Sequence, residues 1–227
     1  MKRNLVVMAA AFASISTCAL AQRVNPYEGF YGQVAVGYER ETVGSSTLKD
    51  TASTPVSVSV SGANKGGVAG VIGVGYNFGI NKNWVVGVGI DYGAVPSKSF
   101  NAPGTDTVGL TVSKRYNIFL TPGYAFGEQM VYAKVGYSNE YLQATYQNPG
   151  PYLGQSIGNT NASGYVLGLG YKTALASNVY GYLEANYYNY SSPTFGTTTL
   201  SNTKTISSYS PSLSAYQALA GLGYRFF

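Results

Sequence analysis

The sequence predicts an all-β chain, folded as an eight-stranded antiparallel up-and-down transmembrane β-barrel, and three observations carry that prediction. Segments of about 10 to 15 residues alternate bulky apolar side chains with Gly or polar ones, the period-2 mark of strands. Short and long connections between these segments alternate strictly. Charged residues inside the segments keep to the Gly-bearing parity, opposite to the Trp, Tyr, Leu and Val set.

Residues 1–21 read as a cleaved secretory signal peptide and are set aside. Met1-Lys2-Arg3-Asn4 supplies a basic start, Leu5 to about Ile15 an apolar run too short to span a bilayer as a helix, and Ala19-Leu20-Ala21 a small-residue cleavage site. Cys18, in Ile15-Ser16-Thr17-Cys18, resembles a lipidation box without the Gly or Ala that usually precedes the cysteine. Residues 22–227 are the expected barrel domain. Cleavage after Ala21 leaves 206 of the 227 residues with no cysteine and no histidine, which removes disulfides and the commonest metal and acid–base side chain. Without Lys2 and Arg3 the 14 basic residues become 12 against 9 acidic ones, a net +3 too mild and too scattered to argue for nucleic acid.

The eight segments run approximately over 28–40, 66–78, 84–95, 109–125, 131–142, 164–174, 179–190 and 214–226. Gly79-Ile80-Asn81-Lys82-Asn83, Phe126 to Met130 and Leu175-Ala176-Ser177-Asn178 are tight turns. The connections near 41–65, 96–108, 143–163 and 191–213 are long and rich in Ser, Thr, Asn, Gly and Pro. An even strand number with short turns at one end and long loops at the other describes a barrel of the bacterial outer membrane, short turns in the periplasm and loops outside.

Parity assigns the two faces. Phe30, Val34, Val36 and Tyr38 oppose Tyr31, Gln33, Ala35, Gly37 and Glu39; Trp84, Val86, Val88, Ile90 and Tyr92 oppose Val85, Gly87, Gly89, Asp91 and Gly93. Asp91, Arg115, Lys134, Lys172, Glu184 and Arg225 all fall on the Gly-bearing side, with Lys114 as the main exception. An eight-stranded interior holds only enough space for side chains to fill, so it cannot take the bulky set from every strand. The bulky face therefore points outward, where lipid tolerates it and closure satisfies the strand hydrogen bonds.

Aromatics on the outward parity are spaced as two girdles. Phe30 and Tyr38, Trp84 and Tyr92, Tyr116 and Tyr124, and Tyr216 and Tyr224 are each eight residues apart. Eight residues at about 3.3 Å rise span roughly 26 Å of strand, which a tilt of about 40° shortens to roughly 20 Å, close to the apolar band of such barrels.

The candidate chemistry is a lumen charge network. Asp91, Arg115, Lys134, Lys172, Glu184 and Arg225 come from different strands, so opposite signs can meet across the axis, and unpaired they would be costly to bury. Two readings stay open: a structural plug, favoured by the narrow bore, or the gated lining of a narrow conduit, favoured by the many inward glycines. The pairs Gly73/Gly75, Gly87/Gly89, Gly168/Gly170 and Gly221/Gly223 lack the third glycine and following helix of a phosphate loop, and read instead as room on the concave wall. A glycosidase pair needs a substrate-sized cleft between its carboxylates, whereas Glu39, Asp91, Glu140 and Glu184 lie on a narrow inner wall. No positioned base is present, so no enzyme activity, catalytic residue, metal or cofactor is expected.

The chain ends Gly221-Leu222-Gly223-Tyr224-Arg225-Phe226-Phe227. Tyr224, Phe226 and Phe227 resemble the terminal signal by which the outer-membrane assembly machinery recognises its substrates, with one Phe beyond the usual ending. Together with Phe30-Tyr31-Gly32-Gln33-Val34-Ala35-Val36-Gly37-Tyr38 and the inward Glu184, the chain resembles the OmpA-like and opacity-type family of porin-family small barrels. That resemblance implies a structural and surface-interaction role in envelope integrity, adhesion or host contact through extracellular loops. The partners it implies are outer-membrane lipid and lipopolysaccharide, the assembly machinery and a host or matrix ligand, for a monomer without nucleic acid. The alternative is a narrow porin-like channel for ions or small hydrophobic solutes. Outer-membrane enzymes of similar size rely on a histidine that this chain lacks. Loop 41–65 holds Ser57-Val58-Ser59-Val60-Ser61, expected as an extension of the strands above the membrane, and loop 143–163 holds Pro149-Gly150-Pro151-Tyr152.

Overall fold

The computed structural model describes residues 25–50, 56–60, 62–94, 98–101, 108–147, 153–200, 204–208 and 210–226. The expected leader over 1–21, Pro149 to Tyr152 and Phe227 of the expected assembly signal lie outside these residues. Eight long strands form the body: β1 (Gly29–Val43), β2 (Ala63–Gly79), β3 (Trp84–Gly93), β4 (Val108–Phe126), β5 (Gln129–Tyr146), β6 (Ser156–Ala174), β7 (Val179–Tyr190) and β8 (Leu213–Arg225). Each pairs antiparallel with the next, and β8 pairs with β1, so the sheet closes on itself. Closure leaves no edge within the body and pairs the backbone polar groups that hydrocarbon would leave stranded.

Turn chemistry fixes the short end. Asn81 Oδ1 accepts from the backbone N–H of Asn83 and of Trp84, both at 2.9 Å, the side-chain mimic of a turn that Asn provides. Phe126 pairs with Gln129 across a two-residue turn whose Gly127 has φ +65°, a conformation that glycine adopts without a Cβ penalty. Leu175 N–H bonds the Val179 carbonyl at 2.9 Å to close the third turn.

The outward rows are apolar along every strand: Val36 is 67% exposed, Leu169 70% and Trp84 53%. Strand β4 keeps its inward row only through a bulge. Leu110 and Val112 point inward on even numbers, the pairing with β5 shifts between Ser113 and Tyr116, and Arg115 then points inward on an odd one. Lys114, at φ +55°, is the bulged residue, and its ammonium lies 5.5 Å from the Tyr141 ring. A bulge re-aims the side chain that follows it, which accounts for Lys114 standing as an exception to parity.

Several strands run further than the sequence pattern suggests. β5 continues to Tyr146 and β6 begins at Ser156, so the expected loop 143–163 is mostly ladder. Beyond the bilayer the outward positions become polar, as with Asn159 and Asn161, and hydrophobic alternation fades while backbone pairing persists. The same holds for loop 191–213, whereas in loop 41–65 the extension is the one expected from the alternation of Ser57 to Val60. Ser46–Asp50 pairs with Val56–Val60 in the register already set by Val43 against Ala63, and Ile206 of Lys204–Ser208 pairs with Asp50 in the register of β8 against β1. Thr198–Leu200 completes this four-stranded sheet, which prolongs the wall of β7, β8, β1 and β2 beyond the barrel. β3 is short, and Lys98–Asn101 pairs with upper β4 beyond it.

Candidate functional site

Buried charge collects inside the barrel, and β5 reads its layers in order from the short-turn end. Met130 and Tyr132 lie lowest, then Lys134, then Glu140, then Leu142, Ala144 and Tyr146, all buried.

At the lowest level the segment before β1 folds under the barrel. Asn25 and Tyr27 are each 1% exposed. Asn25 Nδ2 donates to the Lys82 carbonyl in the first turn at 3.0 Å, and Tyr27 Oη donates to the Glu128 carbonyl in the second at 2.6 Å. Asn77 Nδ2 donates to the Tyr27 carbonyl at 2.9 Å, and Arg225 donates to the Ser177 carbonyl in the third turn at 2.5 Å with its guanidinium 5.4 Å from the Tyr27 ring. All three short turns are thus tied to one strap. Burial pushes the Tyr27 phenol up to about 12, so it stays a donor across the ordinary pH range.

Just above, Lys172 sits among three rings, its Nζ 4.7 Å from the centroid of Tyr31 and 4.9 Å from those of Tyr132 and Tyr180. A cation over aromatic faces is stabilised by their quadrupoles, more so when desolvated. Inward glycines make the space: a Cβ on Gly170 would overlap the Tyr132 ring, and one on Gly223 the Tyr180 ring.

In the middle Lys134 Nζ donates to Asp91 Oδ2 at 2.8 Å and to Glu184 Oε1 at 2.9 Å, and lies 4.3 Å from the Phe119 ring. Tyr132 Oη donates to Glu184 Oε2 at 2.7 Å, and Asn117 Nδ2 to Asp91 Oδ1. Asn186 Nδ2 bridges upward, donating to Glu184 Oε1 at 2.8 Å and to Gln217 Oε1 at 3.1 Å. Gln217 Nε2 donates to Glu39 Oε2 at 2.7 Å, and Glu39 meets the Arg115 guanidinium. Arg115 also holds Glu41 at 2.9 Å and Glu140 at 2.7 Å. One polar chain therefore runs from Asp91 to Arg115 through side chains of six strands.

Of the six charges grouped by parity, the structure joins Asp91, Lys134, Glu184 and Arg115 through this chain. It sets the other two apart: Lys172 lies among tyrosines below it, and Arg225 belongs to the strap at the short-turn end. Parity gives the face of a residue but not its height along the axis. Glu41 was overlooked because the expected first strand stopped at residue 40, while Glu39 and Glu140 were read as inward without a partner. The strap has no periodicity to reveal it; its one signal is a Tyr directly ahead of the first strand.

The long-loop end of the bore is apolar. Val43, Leu110, Val112, Leu142, Ala144, Tyr146, Ile157, Leu213 and Phe195 form one buried cluster. Phe195 is carried in by the segment between β7 and Thr198–Leu200 and is 1% exposed. The space left in the bore beside Arg115, Asp91 and Glu140 is about 50 Å³, whereas grooves of about 920 and 570 Å³ lie mainly against outward residues such as Val34, Ile72, Val74 and Phe226. Room for a water or two separates a filled bore from an open one.

Tyr38, Tyr92, Tyr116 and Tyr216 stand outward toward the long loops, and Trp84, Tyr124 and Tyr224 outward toward the short turns, with Phe30 half-buried beside them. Trp84 meets Tyr124 edge-on at 5.2 Å, and Phe30 meets Tyr76 at 4.7 Å. Phe226 faces outward, its ring 5.1 Å from Tyr224, and its backbone N–H bonds the Phe30 carbonyl at 2.8 Å.

Residues 7–226 match the model of the outer membrane protein beta-barrel domain. Among solved structures, the outer membrane protein OprG from Pseudomonas aeruginosa aligns with a TM-score of 0.52 at 13% identity, over 88% of this chain and 97% of that one. The outer membrane protease OmpT from Escherichia coli aligns at 0.51 and 11%, over 88% and 97%. Ail, the attachment invasion locus protein of Yersinia pestis, aligns at 0.48 and 15%, over 87% and 99%. No curated protein sequence matches the chain.

Proposed function

The chain belongs to the outer membrane protein beta-barrel domain family, and from that premise we propose that it is a closed, non-catalytic monomer that braces the outer membrane and meets its surroundings through the long-loop end. The family and fold place it as an integral protein of the Gram-negative outer membrane. The single observation that carries the rest is the filled bore: strap, ionic chain and apolar cluster occupy successive levels, and the space beside Arg115, Asp91 and Glu140 is about 50 Å³. A conduit would need continuous water, and the apolar level excludes it at the long-loop end. What stays available for function is the surface that rises above the membrane.

The likeness to OmpT is one of fold at 11% identity. The chain has no histidine, and its buried carboxylates are engaged with Lys134 and Arg115, so a base poised toward a substrate has no place here. Export through the secretory route by the segment 1–21, recognition of Tyr224, Phe226 and Phe227 by the assembly machinery, and contact of Arg40 and Lys114 with lipopolysaccharide belong to the same reading.

Planar-bilayer recording on refolded protein tests it. The filled bore predicts no discrete conductance steps in the full chain, and Phe195→Ala leaves conductance absent because the ionic chain still blocks the axis. Discrete steps from the intact protein would favour the channel. Deleting each long loop in turn and measuring adhesion to host cells alongside detergent sensitivity tests the surface role; loss of neither would contradict it.

A further inference from the structure

Among the described residues, Lys114 is the one residue other than glycine with a positive φ, at +55°. It stands first in the bulge of β4, after Ser113 opposite Tyr141 and before the pairing resumes with Tyr116 opposite Asn139. In bulges with a left-handed first residue that place ordinarily belongs to glycine, which has no Cβ to strain. Glycine is plentiful in this chain, with 29 of them, and Gly29, Gly127, Gly154 and Gly158 take the other positive φ values. A glycine at 114 would turn Arg115 inward equally well. The bulge therefore accounts for the backbone but not for the lysine, and a side chain held on a strained backbone points to a task of its own.

That side chain is exposed on the outer face, and its ammonium lies 5.5 Å from the centroid of the Tyr141 ring. Among the described residues it makes no hydrogen bond and meets no carboxylate. Tyr116 of the upper girdle is two residues away, so Lys114 stands roughly 5 Å beyond the girdle once about 3.3 Å per residue is corrected for strand tilt. This is the level of lipid headgroups, outside the hydrocarbon and short of bulk water. The neighbouring face of β5 and β6 is polar, aromatic and uncharged. Tyr137 Oη donates to Ser163 Oγ at 2.8 Å, and Asn139 Nδ2 donates to Ser163 Oγ at 3.0 Å and to Tyr137 Oη at 3.3 Å. Arg40, by contrast, lies in regular ladder with its guanidinium on Asn64 Oδ1 at 2.9 Å.

We propose that Lys114 is a phosphate-binding site for glycolipid of the outer leaflet, with the ammonium on a sugar-borne phosphate and the Tyr141 and Tyr137 rings beside the sugar. A single exposed ammonium holds free phosphate poorly. A headgroup that the leaflet fixes at the same depth is present at high effective concentration, which is enough to occupy a weak site. The proposal deepens the lipopolysaccharide contact named above and rests on the long-loop end facing outward. One bulge then serves two surfaces, sending Arg115 into the ionic chain and Lys114 onto the lipid.

Urea unfolding of the refolded protein tests it in three kinds of vesicle: phosphatidylcholine alone, phosphatidylcholine with bis-phosphorylated lipid A, and phosphatidylcholine with dephosphorylated lipid A. The midpoint of the parent chain rises with phosphorylated lipid A and not with the dephosphorylated form, and millimolar inorganic phosphate added to phosphatidylcholine vesicles leaves it unchanged. Lys114→Gly and Lys114→Asn accept the left-handed backbone more readily. Both unfold at higher urea than the parent in phosphatidylcholine alone and lose most of the gain from lipid A, whereas Lys114→Arg keeps that gain. An equal gain in the parent and in Lys114→Gly, or from dephosphorylated lipid A, overturns the proposal. So does a Lys114→Gly protein less stable than the parent in phosphatidylcholine alone, which would make the lysine a packing residue, or an inorganic phosphate effect as large as that of lipid A, which would make the site one for free anions. These results leave conductance and loop-deletion adhesion untouched, so failure here is distinct from failure of the closed-bore and surface reading.

Discussion

The middle of the bore and its long-loop end are walled by the same inward rows and filled by opposite chemistries. Around Lys134 and Arg115 the fill is ionic and hydrogen-bonded in a chain that spans six strands, and around Leu142 it is a buried apolar cluster. The ionic level costs desolvation on every charge it buries, and its attraction offsets that only where geometry is good. What it gains is specificity, since a slip of one residue in any strand would carry Asp91, Lys134 or Glu184 into lipid. The apolar level adds dispersion and excluded water without such selectivity. A barrel whose outer face is already satisfied by lipid can thus use its bore for register at one height and for packing at another.

The largest way to break that contrast is to leave the ionic level unbalanced. Lys134→Met strands Asp91 and Glu184 as buried carboxylates, and the expected loss is about 3–5 kcal/mol in urea unfolding from vesicles. The triple variant Lys134→Met/Asp91→Asn/Glu184→Gln recovers most of it, because no buried charge is left uncompensated. A single variant as stable as the triple one would show that the charges are hydrated rather than buried.

Leu142→Ala sharpens the comparison from the other side. Its side chain is fully buried in the apolar cluster, so the cavity costs about 2–4 kcal/mol by the same unfolding assay. Its partner levels are undisturbed, and pairing it with Lys134→Met should give additive losses within about 0.5 kcal/mol if the two levels are independent. Strong coupling between them would mean that the ionic chain props the apolar one.

The smallest effect concerns the strap. Tyr27→Phe removes the bond to the Glu128 carbonyl and costs about 1 kcal/mol. The phenol is raised on folding, so its contribution is complete below pH 10 and falls away as pH climbs toward about 12. Amide protection at Glu128 and Gln129, taken relative to the intrinsic base-catalysed exchange rate, should fall over that window in the parent chain and stay level in Tyr27→Phe.

How much of this was legible differs by region. Eight strands, their alternation of turns and loops, and the inward side of Asp91, Lys134 and Glu184 follow from period-2 patterning, because lipid enforces a stark contrast between faces. Partnership does not follow, since the height at which Arg115 meets Glu39, Glu41 and Glu140 depends on the bulge at Lys114 and on the stagger of the strands. The ladder above the membrane was missed at Ser156 to Ala162 because water permits polar residues on the outward side there. The strap at Asn25 to Tyr27 carries no period, and only its hydrogen bonds to two turns and the Arg225 guanidinium over its Tyr27 ring define it.

The account's central claim is that the bulky rows touch hydrocarbon while the ionic rows face the axis, and the chain's single tryptophan, Trp84 on the outward row of β3, reports on it without mutation. The protein refolded into vesicles of lipid brominated along the acyl chains should show strong quenching of Trp84 fluorescence, deepest for bromines near the carbonyl end, and little quenching by aqueous acrylamide. Full emission in brominated lipid with efficient acrylamide quenching would contradict the orientation on which every level of the bore depends.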